Sequence, residues 1–422
     1  MPSKRLRSAL LAVAATASTL SLLLAGCGDG ASGGDASDAG LVDTYLGDVA
    51  KDARDAGPPP ASARLTFVNA VHDLGPNSIL GSTSAIRLCF LQGASPETLT
   101  VLPFPPLPDR VLPGTGATFA GIPSASGVML PSIGLDFARR IVVPIIVSAR
   151  SLLNLEDRAP GQPSATCDQL LGDTADARQG LVKNLDYWTM PPIEAGILAS
   201  DHAYVVALTG CVGNAQTSNP GKCGPGFVRD EENVQPGIGN LKLTAYETSA
   251  APLAAPFGAR FLYVSTQANA FFSQAGAKAA IHPGFFRDGV DGGAFRPITE
   301  PSPAPGALSA VVGVADVSAS DRFVLGPKSL SPSEAAAGLP LLGSSLAEIK
   351  ERSGLTTAPG EPSYPDGRSY VFIAVGDPDT NETKPFIKAD GTPGTEGGAG
   401  SRFNNRFFHF LAYPADPPAV AP

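Results

Sequence analysis

From residue 65 onward the chain carries short runs of β-branched and aromatic residues, each bounded by Gly, Pro, Asn or Asp. Such runs are read as strands. A first set covers Leu65–Ala70, Ile86–Leu91, Ile141–Val147, Ala203–Thr209 and Leu241–Tyr246. A second covers Phe261–Ser265, Leu308–Val314, Tyr370–Val375 and Phe407–Tyr413. Helical signal is sparse. Ser331-Pro332-Ser333-Glu334 has the form of a capping box with Pro in the first turn, and Ser345 with Glu348 repeats that form, with Gly354 placed to stop the helix. Cys167 to Gln179 is a comparable stretch earlier in the chain. The pattern predicts a mainly β protein: two tandem antiparallel β-sandwich domains, each with a small helical insertion before its Tyr-led strand.

The two sets of strands follow one plan. Arg64-Leu65-Thr66-Phe67-Val68-Asn69 opens the first and Arg260-Phe261-Leu262-Tyr263-Val264-Ser265 the second. Tyr204-Val205-Val206-Ala207-Leu208-Thr209-Gly210 is matched by Tyr370-Val371-Phe372-Ile373-Ala374-Val375-Gly376, and each copy closes on Ala-Tyr, at Tyr246 and Tyr413. From first Tyr to last the distance is 42 residues in one copy and 43 in the other. Upstream, Leu170-Leu171-Gly172 mirrors Leu341-Leu342-Gly343. An ordered set of matches at near-equal spacing points to an internal duplication.

Ahead of this body, Lys4, Arg5 and Arg7 precede an apolar run from Ala9 to Ala25, too short for a comfortable membrane span. It ends in Leu23-Leu24-Ala25-Gly26-Cys27, which resembles a bacterial lipobox. The resemblance implies a signal peptide over 1–26 and a lipidated Cys27, whose several acyl chains would anchor the protein permanently. Gly28, by resemblance to Gram-negative sorting rules, is compatible with the outer membrane. Residues 27–61 form an acidic tether rich in Gly, Ala, Ser and Asp, with a composition that cannot bury enough surface to fold. Domains are expected over 62–253 and 256–416, separated by a stretch dominated by Ala and Pro.

The Arg-led opening strand, the late Tyr strand and the lipobox together resemble a family of bacterial surface lipoprotein domains of unknown function. Its members open with a strand running into Val-His-Ala-Ser-Pro-Asp. Here Phe67-Val68-Asn69-Ala70-Val71-His72-Asp73 keeps the strand and the Asp, with Asn69 at the family's His, and Val264-Ser265-Thr266 departs further. The resemblance spans about 62–416 and implies immunoglobulin-like sandwiches in tandem. It carries no activity with it.

Composition narrows the function. Charged residues make up only 16% and the net charge is −9, so a nucleic-acid binder, which needs a basic face, is excluded as an expectation. With Cys27 assigned to lipid, Cys89, Cys167, Cys211 and Cys223 remain. An even number in an oxidising compartment suggests two disulfides. Cys211 and Cys223 would close a local loop, leaving Cys89 with Cys167. The four His residues, His72, His202, His282 and His409, show no metal-site spacing. Asp201-His202 has the composition of half an acid–base pair but sits at a loop-to-strand edge, and His409, among Phe407, Phe408 and Phe410, is expected to face solvent. Ser124 and Ser126 lie in a Gly-bounded turn without an assigned base, and no nucleophile elbow or phosphate loop occurs. Asp377-Pro378-Asp379-Thr380-Asn381 begins like a calcium loop but has Glu382 for the required Gly and Lys388 for the bidentate Glu. Asp377, Asp379 and Asn381 are nonetheless the residues best suited to a cation. Both copies insert a long polar loop before the last strand, Val212 to Asn240 and Asp377 to Asn405. Long loops on a rigid sandwich are where binding surfaces sit. The expectation is a non-enzymatic, cofactor-free envelope lipoprotein that is anchored in the membrane and binds a glycan, calcium or an envelope protein. The alternative is an envelope hydrolase or carbohydrate-active module with an acidic site.

Overall fold

The computed structural model describes residues 63–71, 85–108, 121–122, 125–130, 134–149, 151–152, 155, 165–172, 180–184, 186–211, 240–251, 253, 257–264, 281–287, 294–298, 306–315, 317, 321–327, 342–355, 368–376, 385–387, 393–395 and 408–416. The leader, Cys27, the tether and the Ser331–Glu334 capping box lie outside them.

The first half contributes β1 (Arg64–Val71), β2 (Ile86–Gly93), β3 (Thr100–Val101), β4 (Ser126–Met129), β5 (Ile141–Ser148), β6 (Tyr187–Thr189), β7 (Ala203–Gly210) and β8 (Lys242–Glu247). They form two sheets, β4-β1-β7-β8 and β3-β2-β5-β6. The sandwich class expected from the sequence is the one the chain adopts, with one refinement. β1 and β7, at the centre of their sheet, run parallel, with Leu65 opposite Tyr204 and Val71 opposite Gly210. A parallel pair needs a long crossover, and here the chain between β1 and β7 is long enough to supply the entire second sheet.

The second half contributes β9 (Phe257–Tyr263), β10 (Ile281–Arg287), β11 (Ala294–Pro297), β12 (Val312–Val314), β13 (Arg322–Pro327), β14 (Leu342–Ser345), β15 (Ser369–Gly376), β16 (Pro385–Ile387), β17 (Pro393–Thr395) and β18 (Phe408–Pro414). Its sheets run β12-β9-β15-β18 and β11-β10-β13-β14, with β16 and β17 as a separate hairpin. The strand order is that of the first half, down to the parallel central pair β9 and β15.

Two details of the sequence match are corrected. Tyr204 stands opposite Leu65 and Tyr370 opposite Ala259, so Ala259 is the counterpart of Leu65 and the opening strands align two residues away from the Arg64–Arg260 match. A slip of two keeps every side chain on its face. The Leu-Leu-Gly match has no structural counterpart: Leu170 and Leu171 lie in helix α1 (Cys167–Leu171), whereas Leu342 and Gly343 lie in β14. Helix α2 (Leu346–Arg352) follows β14 directly and starts as the sequence predicts, with Ser345 N–H donating to Glu348 Oε2 at 2.7 Å and Glu348 N–H to Ser345 Oγ at 3.1 Å.

Alternate residues of the inner strands enter different cores. Leu65 and Phe67 of β1 and Tyr204, Val206 and Leu208 of β7 face the first outer sheet, meeting Ile86, Leu88, Val142, Ile146 and Trp188. Phe261, Phe372 and Phe410 face the second outer sheet, where Phe323 stacks on Phe372 with ring centroids 4.4 Å apart. The remaining residues, Val68, Ala70, Val205 and Ala207 of the first half with Leu262, Val371, Ile373, Val375 and Leu411 of the second, form a third buried cluster. The four sheets are therefore stacked, outer–inner–inner–outer. An inner sheet buried on both faces reads as a continuous apolar run, not an alternation, which is why Val205-Val206-Ala207-Leu208 shows no polar face.

Candidate functional site

The stack has two distinct ends. At one, the central strands of both halves begin. Arg64 N–H donates to His202 O at 2.8 Å, and the equivalent Gly258 N–H donates to Arg368 O at 2.7 Å. Ala203 N–H donates to Ser249 Oγ and Ser369 N–H to Asp416 Oδ1, both at 2.8 Å. Two arginines cross between the halves here: Arg64 Nη1 donates to Asp416 O at 2.8 Å and Arg260 Nη1 to Ser249 O at 2.9 Å. Burial holds both guanidinium pKa values below the usual arginine value, opposed by Asp416 at Arg64 and by Glu247 at Arg260. Because each half contacts the other half's strand starts at this end, both parallel pairs point the same way.

The Asp201-His202 pair lies at this end too. Asp201 takes a left-handed backbone, with φ 69°. His202 Nδ1 lies 2.8 Å from Glu247 Oε1, whereas Nε2 lies 3.9 Å from Asp201 Oδ1. The real partner is thus Glu247 on the neighbouring strand, 45 residues away and invisible to a search of adjacent residues. The ring stays partly open to solvent, its side chain 39% exposed. Burial raises the pKa of neighbouring Tyr204, with the bond from Ala199 N–H opposing the shift. Among the described residues no hydroxyl or thiol hydrogen-bonds to the His202 side chain.

At the other end the central strands finish and the long polar segments leave. Gly210 and Gly376 close β7 and β15 with φ 90° and 85°. A Cβ on Gly210 would come within 2.5 Å of Asn240 O, so the close return of the chain requires glycine there. The neck is tied by Cys211 N–H to Asn240 Oδ1 at 2.9 Å and Asn240 N–H to Cys211 O at 3.0 Å. Cys211 is buried and disulfide-bonded. Cys223, Asp377, Asp379 and Asn381 lie outside the described residues, as do His72 and Ser124. Within the second loop only the hairpin of β16 and β17 is described.

Cys89 and Cys167 are bonded, their Cα atoms 5.7 Å apart and both side chains fully buried. They sit with Ile145, Val147, Leu152 and Leu170 on the outer face of the first outer sheet, where the bond fastens α1 over strand β2. His282 is buried within β10, Ser126 pairs with Asn69 in the β1–β4 ladder, and His409 lies in β18 opposite Val375. No group of three or more His, Cys, Asp or Glu suited to a metal ion occurs among the described residues. No family model matches this chain, and no curated protein matches it.

Proposed function

We propose that the protein is a lipid-anchored envelope protein, held in the outer membrane of a Gram-negative cell through Cys27, with a non-catalytic binding, adhesion or scaffolding role. The observation that carries this reading is the shared polarity of the two halves. The chain passes from the tether into β1 at the end where all four central strands begin, and both long loops leave from the end where β7 and β15 finish at Gly210 and Gly376. Both loops thus leave the end of the body opposite the start of β1, and, being rich in Gly, Asn, Asp and Thr, they offer many hydrogen-bonding groups but little apolar anchor area. Such a surface suits a polar ligand, a glycan or calcium, better than a dry protein interface, with Asp377, Asp379 and Asn381 as cation ligands. A Cys211–Cys223 bond would brace the base of the first loop.

The anchor is tested by Cys27→Ala, which is expected to yield an uncleaved or soluble form without lipid labelling; unchanged detergent partitioning refutes it. The binding surface is tested by replacing 212–239 and 377–405, singly, with short Gly-containing turns. Loss of calcium-dependent melting, glycan binding or envelope partners is expected. A folded protein with all three unchanged ends the binding reading.

A further inference from the structure

We propose that the two halves are the fused subunits of a former homodimer, and that their inner sheets still form one obligate interface through which the halves fold and unfold together. This inference does not depend on the lipid anchor or on any ligand.

The contacts between the halves are reciprocal, as in a dimer with twofold symmetry, where residue i meets j and j meets i. Ser249 and Asp416 occupy equivalent places: each side chain accepts the first N–H of its own half's central strand, from Ala203 and Ser369. Each also gives its backbone carbonyl to an arginine of the other half. Those arginines, Arg64 and Arg260, stand two residues apart on equivalent strands, on the same face, and converge on equivalent acceptors.

The closing tyrosines repeat the exchange. Tyr413 crosses to the first half, where a Cβ on Gly127 would lie 2.9 Å from its hydroxyl. Tyr246, its counterpart, crosses to the second half, where a Cβ on Gly306 would lie 3.4 Å from its hydroxyl. The two residues that mark the sequence repeat are thus interface residues. Between them lies an aliphatic layer in which Val68, Val205, Ala207, Leu262, Val371, Ile373 and Val375 are each at most 1% exposed. An apolar sheet face of this kind belongs to obligate interfaces, which resemble a domain core cut in two. The kind of partner each inner sheet fits is another copy of the same sandwich, here supplied in cis.

The full chain carries the test. Its single tryptophan, Trp188, is buried in the first half's own core, so its fluorescence reports that half alone. Phe323 lies in the second half's own core, against Phe285, Phe372 and Phe410. In Phe323→Leu, the Trp188 unfolding curve is expected to move to lower denaturant and to superimpose on the far-ultraviolet dichroism curve. A variant already unfolded in buffer is expected to show a solvent-exposed tryptophan. A Trp188 curve that stays at the wild-type midpoint while the dichroism becomes biphasic, or a native Trp188 beside an unfolded second half, overturns the proposal. Ile373→Asp, which places a charge in the shared layer, is expected to move both curves to lower denaturant together; a Trp188 curve left at the wild-type midpoint means that the layer is not the coupling element, and the proposal fails.

Discussion

Arg287 grips Asp321 with two parallel bonds, Nε to Oδ1 and Nη2 to Oδ2, each 2.9 Å long. The Asp321 carboxylate is almost fully buried, while the guanidinium is about half exposed. Asp321 also accepts Leu346 N–H at the start of α2 through its backbone carbonyl, so the pair holds the end of β10 against the helix. Removing one member of a buried pair leaves the other charge uncompensated. Arg287→Met is expected to cost about 2 kcal/mol, below the fully buried range of roughly 3–5 kcal/mol because water reaches the guanidinium side. Urea denaturation measures it, and a loss under about 0.5 kcal/mol would show that water replaces the arginine at little cost.

Tyr413 is fully buried between the halves, and its hydroxyl has no hydrogen-bond partner among the described residues. Tyr413→Phe is therefore expected to leave stability unchanged or raise it by about 1 kcal/mol at neutral pH. Clear destabilisation would mean that the hydroxyl is satisfied.

Burial raises the pKa of Tyr413, and also of Tyr246 and Tyr204. A phenol whose folded-state value lies above its unfolded value contributes fully below the unfolded value, near pH 10, and loses that contribution as pH rises past it. Stability should decline above about pH 10, and less steeply in Tyr413→Phe than in the parent. Equal slopes in the two proteins would assign the alkaline loss elsewhere.

The Cys89–Cys167 bond joins residues 78 apart in sequence. Loop-closure entropy for a loop of that size corresponds to about 4.5 kcal/mol. The Cys89→Ala/Cys167→Ala double variant should lose several kcal/mol, with α1 the first element to exchange its amide hydrogens. A loss below about 1 kcal/mol would show that the apolar contacts of Leu152 and Leu170 hold the helix without the bond.

Gly210→Ala is expected to cost about 1–3 kcal/mol, because its φ of 90° disfavours any side chain and the added Cβ would meet Asn240 O. Thermal melting checks this. A neutral result would mean that the neck of the first loop opens freely.

The inner strands were legible because they are apolar on both faces: every strand expected in the two central pairs is present, within a few residues. What covers their second face was not, since the runs of β7 and β15 show that both faces are buried and not by what. The second outer sheet was missed almost entirely. Pro283 and Gly284 interrupt β10, Gly326 and Pro327 end β13, and Gly343 sits within β14, so tertiary pairing overrode weak local propensity. Leu308–Val314, expected as one strand, is a three-residue β12 preceded by an isolated bridge from Leu308 to Leu262. At the site, adjacency suggested Asp201 for His202, but the sheet register supplied Glu247 instead. The cysteine count suggested the Cys89–Cys167 bond because sequence spacing left those two for each other.

The layered arrangement also sets an order of events for a chain that emerges from its amino end. All the buried residues of the first half's outer core, and both cysteines of its Cys89–Cys167 bond, precede residue 211. The opposite face of its inner sheet, Val68, Ala70, Val205 and Ala207, has to wait for Val371, Ile373 and Leu411. Until more than 150 further residues have arrived, the first half lacks the partner for that apolar flank and is open to premature association. This interval is when the chain is most exposed to aggregation.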